Sequence, residues 1–216
     1  MLPLEPAFCN AGQETTKFAN MISAEQIQYL QQRIAHYDDQ QAYKLLFTAL
    51  YPYLYPFARA LVKTKEPAEE IVSDVFIKIW EKRKGLNEIG NLKLYLYVAT
   101  RNCAYNYLEN QQRTVTRPAA EFSEDIPSMY FDPEQLMITA DMLAMIQRAI
   151  NELPPKCKII FKLTKEDGLK YREVAEILNI SVKTVENQLA IALHKIGAAV
   201  HFDIQKTVPS SHRHPH

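Results

Sequence analysis

Glycine is scarce in this chain, with five in 216 residues. That leaves little material for tight β-hairpins, whose favoured turns draw on glycine for positive φ. No stretch shows sustained strand-like alternation either. Cysteine is sparse too: Cys9, Cys103 and Cys157 lie far apart, odd in number and without metal-ligand spacing. The pattern argues against a disulfide framework or a thiolate metal site and fits a reducing cytoplasm. The three read as buried small side chains, with a redox sensor as the alternative. No basic segment precedes an apolar core at the N-terminus, so no secretory signal is read there. No run reads as long enough to cross a membrane, so no direct membrane insertion is expected. A nucleophile elbow, a phosphate loop and a glycine-rich dinucleotide fingerprint are all missing. So is any Glu-x-x-His pair of the kind that holds metals inside a helical bundle. No catalytic, cofactor or metal residues are therefore assigned, and an enzyme is not expected.

What the chain does have is helical periodicity almost throughout, which predicts an all-α protein. Its formal net charge is zero, yet the charge is unevenly placed. Residues 21–117 carry 13 basic and 10 acidic side chains, and 148–216 carry 11 and 7. Between them, 118–147 holds six acidic side chains and no Lys or Arg. Two mildly basic helical blocks thus flank an acidic connector, and neutrality averages over unlike parts. Pro118, Pro127 and Pro133 with intervening Ser and acidic residues mark that connector as a linker or solvated tether. The predicted organisation is two small helical domains: a disordered extension over 1–20, a first domain over 21–117, a linker over 118–138, a second domain over 139–200, and a flexible His-containing tail over 201–216. Gly197 reads as an early helix end, which leaves the stretch from Ala198 without an assigned role.

The second block carries the sharpest local pattern. Tyr171 to Leu178 reads as a short helix with Val174, Ile177 and Leu178 on one face and a small Ala175 beside them. Asn179 tolerates a left-handed backbone at the turn. Ser181 is a good N-cap for a second helix whose apolar run is Val182, Val185, Leu189, Leu193 and Ile196. A small residue where two helices cross suits a helix-turn-helix, whose second helix enters a DNA major groove. A pair of packed helices in any bundle gives a similar pattern.

In the first block, Glu69 to Arg83 predicts a helix with Pro67 at its start and Ile71, Val72, Val75, Phe76 and Ile79 buried. Its other face, Glu70, Ser73, Asp74, Ile77, Lys78 and Glu81, suits a basic protein partner. A loop from Gly85 to Asn91 follows, containing Asn87 and Glu88. The next helix interleaves Tyr95, Tyr97, Tyr105 and Tyr107 with Arg101 and Asn102. Such a set offers ring faces for stacking and polar groups for base edges of an unpaired strand. Equally, tyrosines along a helix serve as core with a wet hydroxyl. Tyr97, Tyr107 and Trp80 read as core.

Taken in order, Leu54 to Arg59, Ala68 to Phe76 through Trp80, Tyr95-Leu96-Tyr97 with Arg101-Asn102, Glu152 to Lys156 and the helix-turn-helix resemble the sigma-70 family of bacterial transcription initiation factors. In size the chain is similar to the small two-domain class called extracytoplasmic-function (ECF) sigma factors. The resemblance implies a subunit of core RNA polymerase in the bacterial cytoplasm that selects promoter DNA and is held by an anti-sigma partner. It implies that Glu70, Ser73, Asp74, Ile77, Lys78 and Glu81 dock on polymerase. Asn87, Glu88, Asn91, Arg101, Asn102 and Tyr105 would open and read the minus-ten element. Ser181, Lys183, Thr184, Glu186, Asn187 and Gln188, with Tyr171 and Arg172, would meet the minus-thirty-five element.

The chain departs from that pattern. Ser73 stands where Gln is common, and Glu186, Asn187 and Gln188 stand where many relatives place Arg. Ile191 and Gly197 replace expected basic residues, which leaves Lys183 as the one fixed cation before Lys195. Feeble DNA binding by the second domain alone is expected, because phosphate neutralisation supplies most non-specific affinity. The rival reading is a stand-alone helix-turn-helix regulator. Tight sequence-specific binding by the free protein would favour it.

Overall fold

The computed structural model describes residues 22–114 and 140–207. The predicted N-terminal extension, the acidic linker and the tail from residue 208 lie outside the described residues. All ten elements in the described residues are helical.

The first half is built around α2 (Gln40–Val62), which packs against α1 (Ala24–Tyr37), α3 (Lys65–Glu81) and α4 (Leu92–Thr114). α1 opens on a capping box: the Ser23 hydroxyl accepts from the Gln26 N–H at 3.2 Å, and Gln26 Oε1 accepts from the Ser23 N–H at 2.9 Å. The chain then reverses through Asp38 in a left-handed conformation (φ 51°). The Asp39 carboxylate caps α2, accepting from the N–H groups of Gln41 and Ala42 at 3.0 Å each. α2 is long and apolar enough to cross a membrane by length and composition, contrary to expectation. It is apolar nearly all round because it is the central helix: Leu46, Leu50, Leu54, Phe57 and Leu61 are all buried between its neighbours.

α3 starts earlier than predicted, at Lys65, and ends at Glu81. Pro67 falls in its first turn, where a missing N–H costs nothing. The expected buried stripe of Ile71, Val72, Val75, Phe76 and Ile79 is buried. The predicted loop from Gly85 to Asn91 is partly ordered as a 3-10 turn, Arg83–Glu88. Its anchor is the buried Gln31 of α1, whose amide donates to Leu86 O and, at 2.8 Å, to Ile89 O. Along α4, Tyr97 is fully buried against Phe57 with ring centroids 5.3 Å apart. Tyr107 is half-buried, while Tyr95 and Tyr105 stay exposed.

The second half comprises α5 (Ala140–Asn151), α6 (Pro155–Phe161), a π-turn (Lys162–Glu166), α7 (Tyr171–Leu178) and α8 (Val182–Thr207), with α8 packing on the three other α-helices. Asn179 occupies the left-handed region (φ 52°, ψ 50°), and Ser181 Oγ accepts from the Thr184 N–H at 3.0 Å, as the helix-turn-helix reading requires. Gly168 takes the other left-handed position (φ 67°), between the π-turn and α7.

Two expectations fail in α8. Val185, Leu189 and Ala192 are buried, but Leu193 is 46% exposed and Val182 36%. At about 100° per residue these two sit roughly 60–80° from Val185, off the buried centre line. Nor does the helix end at Gly197, since it continues to Thr207. One interior glycine costs only about 1 kcal/mol relative to alanine, and Ala198 and Ala199 follow it immediately.

Candidate nucleic-acid interface

Three surfaces gather the candidate residues. On α3, Glu70, Ser73, Asp74, Ile77, Lys78 and Glu81 recur at three- and four-residue intervals, and all are exposed. They form one continuous stripe opposite the buried one. Ile77, half-exposed, is its apolar centre, flanked by the carboxylates of Glu70, Asp74 and Glu81. Ser73 bonds back to the Glu69 carbonyl at 2.8 Å, which turns its hydroxyl away from an incoming partner.

The second surface runs from the 3-10 turn onto α4. Asn87 and Glu88 are exposed, and the Asn87 amide meets His36 Nε2 at 2.6 Å. Asn91 caps α4 by accepting from the Leu94 N–H at 3.0 Å. One face of α4 then presents Asn102 and Tyr105 to solvent, with Arg101 half-buried beside them. Arg101 donates to Asn102 Oδ1 from Nε (3.1 Å) and Nη2 (2.8 Å), so the two side chains act as one unit.

The third surface is α8. Ser181, Lys183, Glu186 and Asn187 are exposed, and Thr184 is half-buried at the cap. Tyr171 and Arg172 of α7 are exposed as well. Gln188 departs from the sequence reading: it is half-buried, and its Oε1 accepts from the Cys157 thiol at 3.0 Å. It therefore faces α6, because position 188 lies beside the buried Val185–Leu189 line. The outward stripe continues instead through Ala190, Ile191 and His194. Sequence reasoning missed Ala190 and His194, although the spacing was available: Ala190 lies three residues after Asn187, and His194 four after Ala190. Lys183 is tied to Glu186 at 3.3 Å, which lowers the free positive charge of this face.

The second surface meets the helix that precedes the third, α7. The Asn91 amide donates to Glu173 Oε1 at 2.7 Å, and Arg101 Nη1 donates to the carbonyls of Glu176 (2.9 Å) and Ile177 (3.0 Å) at the end of α7. Beneath them the Tyr97 hydroxyl donates to Asp167 Oδ2 at 2.7 Å, and Lys93 Nζ donates to Asp167 O at 2.5 Å. Asp167 is wholly buried and also pairs with Lys162 at 3.4 Å. Burial pushes its carboxyl up, opposed by Lys162, the Tyr97 hydroxyl and Lys93. Burial pushes the Tyr97 hydroxyl well up and the Lys93 ammonium down. None of Lys93, Asp167 and Glu173 stood out in the sequence, because their partners lie some 70 to 80 residues away along the chain. Among the described residues, no group of His, Cys, Asp and Glu side chains is arranged to hold a metal.

The family comparisons divide along the same line. The Sigma-70 region 2 family model matches residues 46–114, and the Sigma-70, region 4 model matches 143–196. Together they cover more than half of the chain. The chain is 26% identical to the RNA polymerase sigma-H factor of Pseudomonas aeruginosa over 191 residues, covering 83% of this chain and 96% of that protein. It is 28% identical to the ECF RNA polymerase sigma-E factor of Escherichia coli over 175 residues, covering 75% and 88%. Among solved structures, the sigma factor RpoE of Bartonella quintana, crystallised with the anti-sigma factor NepR, shares the fold. Its TM-score is 0.50 at 22% identity, over 76% of this chain and 99% of that one.

Proposed function

We infer from a chain that belongs to the sigma-70 family, in its extracytoplasmic-function class, that this protein is a dissociable subunit of bacterial RNA polymerase. It binds core polymerase and directs promoter-specific initiation. The observation that carries this reading is the coexistence of both family regions in one chain, in order. A stand-alone regulator needs the helix-turn-helix of the second half, and it has no use for the first. Sigma factors are not enzymes, and this chain supplies polymerase with promoter choice while the polymerase does the chemistry. It acts where polymerase acts, in the bacterial cytoplasm. An anti-sigma factor is the expected regulatory partner, as it is for the solved relative.

The division of labour follows the three surfaces. The α3 stripe docks on polymerase through Ile77 and its surrounding carboxylates. The turn and α4 take the non-template strand of the minus-ten element, with Tyr105 stacking and the Arg101–Asn102 unit reading a base edge. α8 enters the major groove at the minus-thirty-five element. There Asn187 suits an adenine edge, Glu186 accepts from cytosine, and Ala190 and Ile191 offer apolar contact to thymine methyls. Gln188 is left out of that set because its amide oxygen is engaged by Cys157.

The test is co-elution of the purified full chain with bacterial core RNA polymerase, followed by titration. Stoichiometric, tight association is expected. Folded protein that fails to bind core at micromolar concentration would overturn the reading and leave a helix-turn-helix regulator.

A further inference from the structure

Gln188 has the chemistry of a base reader, yet the fold turns it aside. At about 100° per residue it lies roughly 60° from the buried Val185 and 100° from the exposed Asn187, on the flank of α8 that faces α6. Its side chain is half-buried there, and Oε1 accepts from the Cys157 thiol at 3.0 Å. Cys157 is itself buried, on a helix that packs along α8.

We propose that Cys157 is a positioning residue for promoter choice: its thiol holds the Gln188 amide against α6 and so withholds an adenine-reading group from the minus-thirty-five contact. The inference rests on the sigma-factor reading for the identity of the DNA, and on the α6–α8 contact alone for the positioning.

A glutamine amide pairs with adenine through both of its groups, the oxygen accepting from N6–H and the nitrogen donating to N7. With Oε1 committed to the thiol, only the donor half is left, and the bidentate pair cannot form until that contact breaks. The thiol is a fit donor. Burial pushes its pKa up, opposed by Lys195 and Lys156, so it keeps its proton at neutral pH. Asn187, one position earlier, stays exposed on the outward stripe. Of two adjacent amides the fold thus presents one and holds back the other, which leaves open to any base the position that Gln188 would otherwise read. A thiol is a weak donor, so a single substitution on α6 is enough to reverse this arrangement.

The test is selection from a promoter library randomised over the minus-thirty-five element, with a fixed minus-ten element, by holoenzyme assembled from core polymerase and the full chain. Gln188→Ala in the parent is expected to leave the base preference at every randomised position unchanged. Cys157→Ala is expected to acquire about a ten-fold preference for adenine at one position, and to lose it when combined with Gln188→Ala. Cys157→Ser keeps a donor and is expected to retain the parent profile. A packing defect alone would weaken all sequences alike and create no new base preference, so the profile separates positioning from stability. Should circular dichroism show Cys157→Ala unfolded, Cys157→Val fills the site without a donor and gives the same readout. A base preference that disappears with Gln188→Ala in the parent would overturn the inference. So would a donor-free variant with the parent profile, an adenine preference that survives the double substitution, or one that appears in Cys157→Ser. Co-elution of the parent with core polymerase decides the sigma-factor reading separately. If core does not bind, the free chain is the tight-binding regulator of the rival reading, and selection by the free chain compares the same variants with the same expected outcomes.

Discussion

At the scale of single residues, the buried polar groups carry the firmest expectations. Lys162, Glu166 and Asp167 form a charge cluster with almost no solvent contact, at 3.2 and 3.4 Å. Removing one member of a buried pair leaves the other uncompensated. Lys162→Met is expected to destabilise the fold by about 3–5 kcal/mol, measured as a fall in the urea midpoint by circular dichroism. Thr100 poses the opposite case. Its hydroxyl is buried in α4 and is the one such side-chain atom without a hydrogen-bond partner among the described residues. Thr100→Val keeps the shape and removes the unpaired group, so a gain of about 1 kcal/mol is expected in the same assay. Asp39 sets an acid limit. The Ala42 N–H, then Arg33 and the Gln41 N–H, hold its carboxyl below the usual range despite some desolvation. The ionised form is therefore favoured in the folded state. Its contribution is complete above the ordinary carboxylate pKa and is lost as pH falls through the lowered value. Denaturant midpoints measured on the acid side should fall more steeply with pH in the parent than in Asp39→Asn.

At the scale of elements, the proposed tasks fall on different helices and can be tested apart. Asp74→Lys with Ile77→Asp on α3 is expected to weaken association with core polymerase and leave the fold intact, measured by titration and circular dichroism. Asn102→Ala on α4 should do the reverse, lowering promoter-dependent transcription while core binding is retained. Lys183→Ala on α8 should weaken promoter binding across sequences and reduce the salt slope by about one, as the proposed role of a single phosphate contact requires. Gln31 links two elements: its amide donates to two carbonyls flanking the 3-10 turn and so fixes where Asn87 and Glu88 stand. Helix identities were legible here because a 3.6-residue period shows in any window of a dozen residues. Helix ends were less so. Gly197 reads locally as a stop, yet the flanking alanines carry α8 past it to Thr207.

At the scale of the whole molecule, the two halves are one packed body joined along α4 and α7.

The sequence by itself determined that the chain is helical and that it is a sigma-70 relative. These follow from local signals: apolar periodicity, cap residues such as Ser181, the left-handed Asn179, and motifs in a fixed order. It also marked the α3 stripe, since a face complementary to a buried one is known once the period is known. Only the tertiary structure decided that Gln188 turns to Cys157, that Gln31 anchors the turn, and that Asn91 and Arg101 are spent on Glu173 and the end of α7. The physical reason is range. A hydrogen bond between side chains 70 or 80 residues apart leaves no trace in the spacing of either. Their meeting depends on how whole helices pack, which no window of sequence contains.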